Sequence, residues 1–408
     1  MSELLFLAHR IPYPPNRGDK IRSWHVLRHL ARYATVHLAA FADDEADAAH
    51  LAGLREALGD SLGEVLVEPI ASSRMAWAGR ALRRRQPLNL AAFHSPAMQR
   101  FVDGILARPR VETIYAFSVQ MAQFVPAGAS QRFIMDFVDF DSAKYARYAA
   151  GLPTPRRLVY RREAGLLLAH ERATAERADV SLFISEAEAS FFIERAKPRG
   201  ADIRVLPNGI DLRHYDPALT FVPPPDLPAA PLIVFTGQMN YPPNVEGVVD
   251  FAERVMPLVR DGCPAARFVV VGRDPAPPVQ RLAGADGTIV TGEVADVRPW
   301  LAAAALVVAP LKLARGVQNK VLEAMAMGRP VVASPAAFTG INAEPGRDLV
   351  VADGAAGQAE AVLALLGDRG LAERIGRDAR RRMEAAYSWD AQLAPLAPLA
   401  GLQRAQAA

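Results

Sequence analysis

Lys320 and Glu323 stand three residues apart in the segment PLKLARGVQNKVLEAMAMGRPVVAS at positions 310–334. That spacing puts an ammonium and a carboxylate on one face of a helix. The segment leaves an aliphatic run, passes Gly316, opens a helical pattern near Val317 and ends it at Gly328 before Pro330, where glycine and proline are the expected stop signals. Free amides and the positive dipole end of such a helix suit a phosphate. Lys320, one turn in, reaches the same anion, and the Glu323 carboxylate is an acceptor that two ribose hydroxyls can share. The plain alternative is a solvated Lys320–Glu323 ion pair, worth at most about 1 kcal/mol.

Two other groups carry chemistry. The first apolar run ends at His9 and is followed by a long loop to Gly18-Asp19-Lys20. Gly18 permits a tight turn and close backbone approach, and Asp19 can cap the following helix with its carboxylate facing a cleft; a capped helix start and a structural histidine are the plain readings. MDFVDFD at 135–141 offers Asp136, Asp139 and Asp141, and paired carboxylates of this kind hold divalent cations with diphosphate oxygens. Because the segment ends a strand, contact with a second substrate or capping by Asp141 or Ser142 is preferred. Glu163, Glu171 and Ser185-Glu186 are further acidic candidates, but the pattern over 156–177 is charged all round and reads as a solvated helix.

The elements that must position these residues alternate. Short aliphatic runs at 4–8, 35–40, 64–68, 111–115, 132–135, 180–184 and 203–206 are separated by helical stretches, the first at about 19–32. Runs at 232–236, 268–271, 288–291, 306–309, 330–333 and 349–351 repeat the pattern. This is α/β logic, with parallel sheets covered by helices on both faces. Prolines 217, 223, 224, 225, 228 and 231 interrupt it. We expect domains at 1–215 and 231–390, a linker at 216–230 and a terminal helix over 391–408, starting near Trp389. Ligands of such sheets bind at the carboxyl ends of the strands, here expected around a cleft between the two domains.

Composition narrows the classes. Of 408 residues 51% are hydrophobic and 22% charged, an ordinary globular balance. A net charge of +3 gives no whole-surface basic field, so nucleic acid is not an expected partner. Cys263 is the only cysteine, which excludes an internal disulfide and a thiolate metal cage and fits a reducing compartment. The N-terminal apolar run is too short for a signal segment, and the uncharged stretch 113–131 is too polar to span a membrane. The fingerprint G-x-G-x-x-G is absent, which counts against a dinucleotide enzyme.

The 310–334 segment resembles the signature of the family 4 glycosyltransferases of the GT-B fold, in which a pair of glutamates separated by seven residues precedes A-x-G-x-P-V-V-A. Glu323 matches the second glutamate, the one that holds the nucleotide ribose; Arg315 replaces the first, which contacts the donor sugar. VLPNGID at 205–211, FTG at 235–237, VVG at 270–272 and VTGEVAD at 290–296 extend the resemblance over nearly the whole chain. It implies two Rossmann-like domains, a nucleotide-sugar donor, and donor contacts at Gly18, Gly237, Arg315, Gly316, Val317, Lys320, Glu323 and backbone groups around Val294. Many members carry an arginine and a lysine after the FTG glycine; here stand Gln238, Met239 and Asn240, so Lys320 and Arg315 are expected to balance the diphosphate. AHRIPYPP at 8–15, Gly18-Asp19-Lys20, GQMNYPPN at 237–244 and Asn319-Lys320 resemble the sugar transferases associated with exosortase-type exopolysaccharide systems.

The resemblance also implies chemistry. Transfer is retaining and needs no metal or other cofactor, the leaving phosphate helping to deprotonate the acceptor. Asp19, and secondarily His9, are the expected acceptor-side base or orienter. Rivals are a sugar-nucleotide epimerase of the same fold and a non-catalytic nucleotide-sugar-binding protein. The acceptor is expected to be a glycan or a polyprenyl-linked glycan, and the location cytoplasmic. Arginine clusters at Arg80 with 83–85, at 156, 157, 161 and 162, and at 380–382, with Trp77 and Leu82 interleaved in the first, suggest peripheral contact with anionic lipid at the inner face of the plasma membrane.

Overall fold

The computed structural model describes residues 2–15, 18–70, 74–150, 154–224, 227–314 and 317–403. The chain divides into two compact units, Met1–Asn208 with Gln392–Ala408, and Gly209–Ala391.

The first unit holds seven parallel strands: β1 (Glu3–Ala8), β2 (Thr35–Ala42), β3 (Leu62–Pro69), β4 (Val111–Phe117), β5 (Arg132–Val138), β6 (Val180–Phe183) and β7 (Ile203–Val205), in the order β3-β2-β1-β4-β5-β6-β7. β1 lies between β2, where Leu4 pairs with Val36, and β4, where Ala8 pairs with Phe117. Residues Leu4, Leu5, Phe6, Leu7 and Ala8 are all fully buried. Both faces of the strand are covered, which is why it reads as an unbroken apolar run without alternation.

The second unit repeats the plan with β8 (Leu232–Thr236), β9 (Arg267–Val271), β10 (Thr288–Gly292), β11 (Leu306–Ala309), β12 (Val331–Ala333) and β13 (Val350–Val351), in the order β10-β9-β8-β11-β12-β13. Each sheet reverses its winding between its first strand and its fourth. The carboxyl ends of β1 and β4, and of β8 and β11, are therefore the switch points where a crevice opens.

Two expectations shift. The proline-rich stretch does not stand apart as a tether: Phe221 and Leu227 pack against the second unit's core, and the Arg298 guanidinium lies 5.5 Å from the centre of the Phe221 ring. The terminal helix is broken into Trp389–Leu393 and Leu396–Leu399, because a proline at 395 cannot continue the first of them. This end belongs to the first unit, where Thr113 Oγ1 donates to the Ala400 carbonyl at 2.9 Å and Arg132 Nε to that of Leu399 at 2.6 Å.

Candidate functional site

In the second unit the chain turns out of β8 at Gly237 and out of β9 at Gly272. The turns touch so closely that a Cβ on Gly272 would lie 1.6 Å from the Gly237 carbonyl oxygen, and one on Gly237 would lie 2.8 Å from Asn244 Nδ2. Only glycine fits at either place. Beside these turns opens a cavity of about 520 Å³, lined among others by Gly237, Arg273, Glu293, Val294, Val317, Lys320 and Glu323. It lies at the switch point, and the helix Asn319–Ala326 presents its first turn to it.

Lys320 and Glu323 both line this cavity, but not as an ion pair. Lys320 Nζ donates to Asn244 Oδ1 at 2.6 Å and sits 4.1 Å from the centre of the Phe235 ring, a cation–π contact on a desolvated floor. Burial pushes the Lys320 ammonium down to about 7, against the opposing pull of Glu323. Glu323 is hydrogen-bonded by the Tyr215 hydroxyl; burial raises its carboxyl above the ordinary glutamate value, while Tyr215 and Lys320 draw it back. Burial and the Glu323 charge together push the Tyr215 phenol up. The solvated pair is thus corrected: each partner is held separately and aimed at the cavity.

Arg315 and Gly316, both expected donor contacts, lie outside the described residues. Sequence reading gave no role to Tyr215, Asn244 or Arg273, which line the same cavity. Asn244 lay inside the quoted GQMNYPPN and Arg273 directly after VVG, so the motifs marked their neighbourhood; Tyr215 carried no such mark. Arg380 holds the arrangement from behind, donating to the carbonyls of Tyr215 at 2.6 Å, Ala326 at 2.8 Å and Leu212 at 3.2 Å. With Arg382 bonded to the buried Asp348 at 2.8 Å, two of the three arginines at 380–382 are structural, and the third, Arg381, is exposed and pairs with Asp378.

In the first unit His9 and Asp19 come together at the carboxyl end of β1. His9 Nε2 lies 3.4 Å and Arg10 Nη1 3.3 Å from Asp19 Oδ2. His9 stacks on Phe117 at 5.7 Å, and its Nδ1 is buried without a hydrogen-bond partner. Asp19 is the second residue of the helix Gly18–Leu30, and its carboxylate meets His9 and Arg10. A Cβ on Gly18 would meet nothing within 4 Å, so no contact among the described residues demands glycine there. A cavity of about 330 Å³ opens here, lined among others by His9, Asp19, Asn89, Gln120, Asp139 and Lys144.

The metal reading of 135–141 gives way to internal pairing. Asp136 is fully buried and receives Arg22 Nε at 3.0 Å, Arg22 Nη2 at 3.2 Å and the Tyr115 hydroxyl at 2.6 Å. Asp139 and Asp141 share the Lys144 ammonium at 2.8 and 3.1 Å; burial works to lower the Lys144 value, and the two carboxylates outweigh it and raise it. Nor is the helix Thr154–Arg177 solvated all round. Glu163 is 4% exposed and accepts from the Leu88 amide at 2.5 Å, while Glu171 is wholly buried, accepts from the Ser142 amide at 3.1 Å and is pushed by burial up to about 8.

Residues 230–368 match the family model described as Glycosyl transferases group 1. The second unit carries a group 1 glycosyltransferase domain. No curated protein is similar enough to the chain to count as a match. Solved structures align with this domain and the first unit together. Sucrose-phosphate synthase from Thermosynechococcus elongatus is 17% identical, with 98% of each chain covered and a TM-score of 0.58. Anabaena HepE in complex with UDP and glucose is 16% identical, with 98% of this chain and 99% of that one covered and a TM-score of 0.57. WaaG, a glycosyltransferase involved in lipopolysaccharide biosynthesis, is 15% identical, with 98% and 100% covered and a TM-score of 0.56. The glycosyltransferase domain and the seven-stranded unit before it are accordingly the two Rossmann-like halves of the GT-B fold.

Proposed function

We propose that the protein is a retaining glycosyltransferase that moves a sugar from a nucleoside-diphosphate sugar to a glycan or polyprenyl-linked glycan in the synthesis of an exopolysaccharide or other cell-surface polysaccharide. The observation that carries this reading is the cavity of the glycosyltransferase domain, where the Gly237 turn, Lys320 and Glu323 converge at the switch point. Lys320, with Arg273 on the same cavity, faces the diphosphate, and Glu323 takes the ribose hydroxyls. The motif GQMNYPPN supports placing the chain beside the exosortase-associated transferases.

The acceptor hydroxyl oxygen bonds to the anomeric carbon on the face from which the diphosphate oxygen departs. The electron pair of the broken bond leaves with the nucleoside diphosphate, and the hydroxyl proton passes to the departing phosphate. Asp19, set by His9 and Arg10, orients that hydroxyl. On this reading cations and helix amides balance the leaving group, and the reaction needs no resident metal.

The acceptor side is read as working at the cytoplasmic face of an anionic membrane. Leu82, Leu158 and Val159 are 74%, 61% and 48% exposed, and Arg83, Arg84, Arg85, Arg156 and Arg161 are exposed around them. Arg162 Nη2 donates to the Ala81 carbonyl at 3.2 Å and joins the two segments; neither 74–88 nor 154–162 contains an acidic residue. Trp77, expected at this surface, instead buries its indole nitrogen. Flotation with vesicles containing anionic lipid, lost on Leu82→Ser with Leu158→Ser, tests this; binding indifferent to lipid charge refutes it.

For the reaction, thermal shifts are measured against UDP, GDP, ADP, dTDP and their sugars, with and without Mg2+, followed by product analysis with glycan acceptors. A selective shift abolished by Glu323→Ala, with acceptor-dependent product, supports the transferase. A donor altered without acceptor would identify an epimerase, and binding without turnover a binding protein.

A further inference from the structure

Asn244 is 6% exposed, in the helix Pro242–Asp250 that follows the Gly237 turn. Both ends of its carboxamide are committed: Nδ2 donates to the Gln238 carbonyl at 2.9 Å, and Oδ1 receives Lys320 Nζ. The orientation is forced, since an ammonium only donates and must meet the oxygen end. A Cβ on Gly237 would lie 2.8 Å from Asn244 Nδ2 and 3.0 Å from Lys320 Nζ, so turn, amide and ammonium form one packed unit.

An aspartate of the same shape would still accept from Lys320 but would cancel its charge and give up the donation to the Gln238 carbonyl. An amide fixes the ammonium and leaves that charge for a ligand. Among the described residues no carboxylate lies within ion-pair distance of Lys320. Glu323 on its own helix acts on it at longer range, and Tyr215, Tyr241, Arg273 and Glu293 are the other charged or titratable groups among the described residues of the cavity wall.

We propose that Asn244 is a positioning residue: it holds the Lys320 ammonium against the Gly237 turn, uncancelled, for the diphosphate of the donor. The proposal rests on the donor-site reading above. It differs from a packing role, because a packing role depends on the shape of residue 244 and not on its charge.

The chain has only five lysines, so the Cε resonances of lysine-labelled full-length protein can be followed through a pH titration, Lys320 being assigned by its loss in Lys320→Arg. The expected result is opposite shifts of the Lys320 midpoint, upward by a unit or more in Asn244→Asp and downward in Asn244→Ala. UDP-glucose is the binding probe, and Asn244→Asp is expected to weaken it at least tenfold while the melting temperature stays within a few degrees. An Lys320 midpoint that is the same in both variants, or that moves the same way in both, overturns the proposal. If the wild type binds no nucleoside-diphosphate sugar but the lysine midpoints still split, the donor reading fails and the hold of Asn244 on Lys320 stands.

Discussion

The Tyr215 hydroxyl donates to the Glu323 carboxylate on the wall of the second unit's cavity, joining a loop near the start of that unit to the helix Asn319–Ala326. The bond fixes a carboxylate that burial alone would favour as the neutral acid, since of the forces acting on Glu323 only Tyr215 and Lys320 oppose that burial. Tyr215→Phe removes the donor and leaves the ring. One hydrogen bond of about 1 kcal/mol corresponds to roughly fivefold in affinity, so UDP-glucose binding measured by calorimetry should weaken by about that factor, whereas Glu323→Ala should abolish it.

Donor binding should depend on pH through Lys320. Its ammonium is held down to about 7, so it is charged below that value and largely neutral well above it. A diphosphate sugar keeps its charge across the range and prefers the protonated form, so affinity should fall from pH 6 to pH 8.5 in the wild type. Lys320→Arg, charged throughout, should flatten the profile. Titration calorimetry at four pH values checks both.

Glu171 should make the first unit less stable as pH rises. Its folded carboxyl is raised from 4.5 to about 8, so between those values the folded state binds more protons than the unfolded one and stability falls with increasing pH. Below pH 4.5 this contribution is fully present, and above pH 8 it is lost. Glu171→Gln removes the dependence, and urea unfolding at pH 5 and pH 8 should show the variant's slope reduced by roughly 2–4 kcal/mol over the interval.

Breaking the Arg22–Asp136 pair should be costly. Both side chains are buried to within 1%, and removing one leaves the other charge uncompensated, at about 3–5 kcal/mol. Arg22→Leu should therefore lower the unfolding midpoint strongly, and Arg22→Leu with Asp136→Leu should recover part of the loss. Chemical denaturation of the two variants decides it.

All thirteen strands of the described residues stand in the sequence as short aliphatic runs; for strands such as β8 and β11 that is because a parallel strand buried on both faces has to be one, and these two match their expected limits to the residue. That Lys320 and Glu323 face one cavity was legible for a related reason: they are fixed by spacing within one helix. What escaped was pairing across long separations. Glu163 finds the Leu88 amide and Arg380 the Tyr215 carbonyl over 75 and 165 positions, and no periodicity within the helix Thr154–Arg177 distinguishes a charge that meets water from one that meets a buried amide. Asn244 belongs to the same class, its partner lying 76 residues away.

The return of residues after 391 to the first unit has a consequence for the order in which the molecule is made. The carbonyls of Leu399 and Ala400 that Arg132 and Thr113 hold leave the ribosome only after the whole second unit has been translated. The second unit is one unbroken stretch and can close as soon as it emerges. The first, though begun earlier, must wait for its last piece, so the half made first is the half finished last.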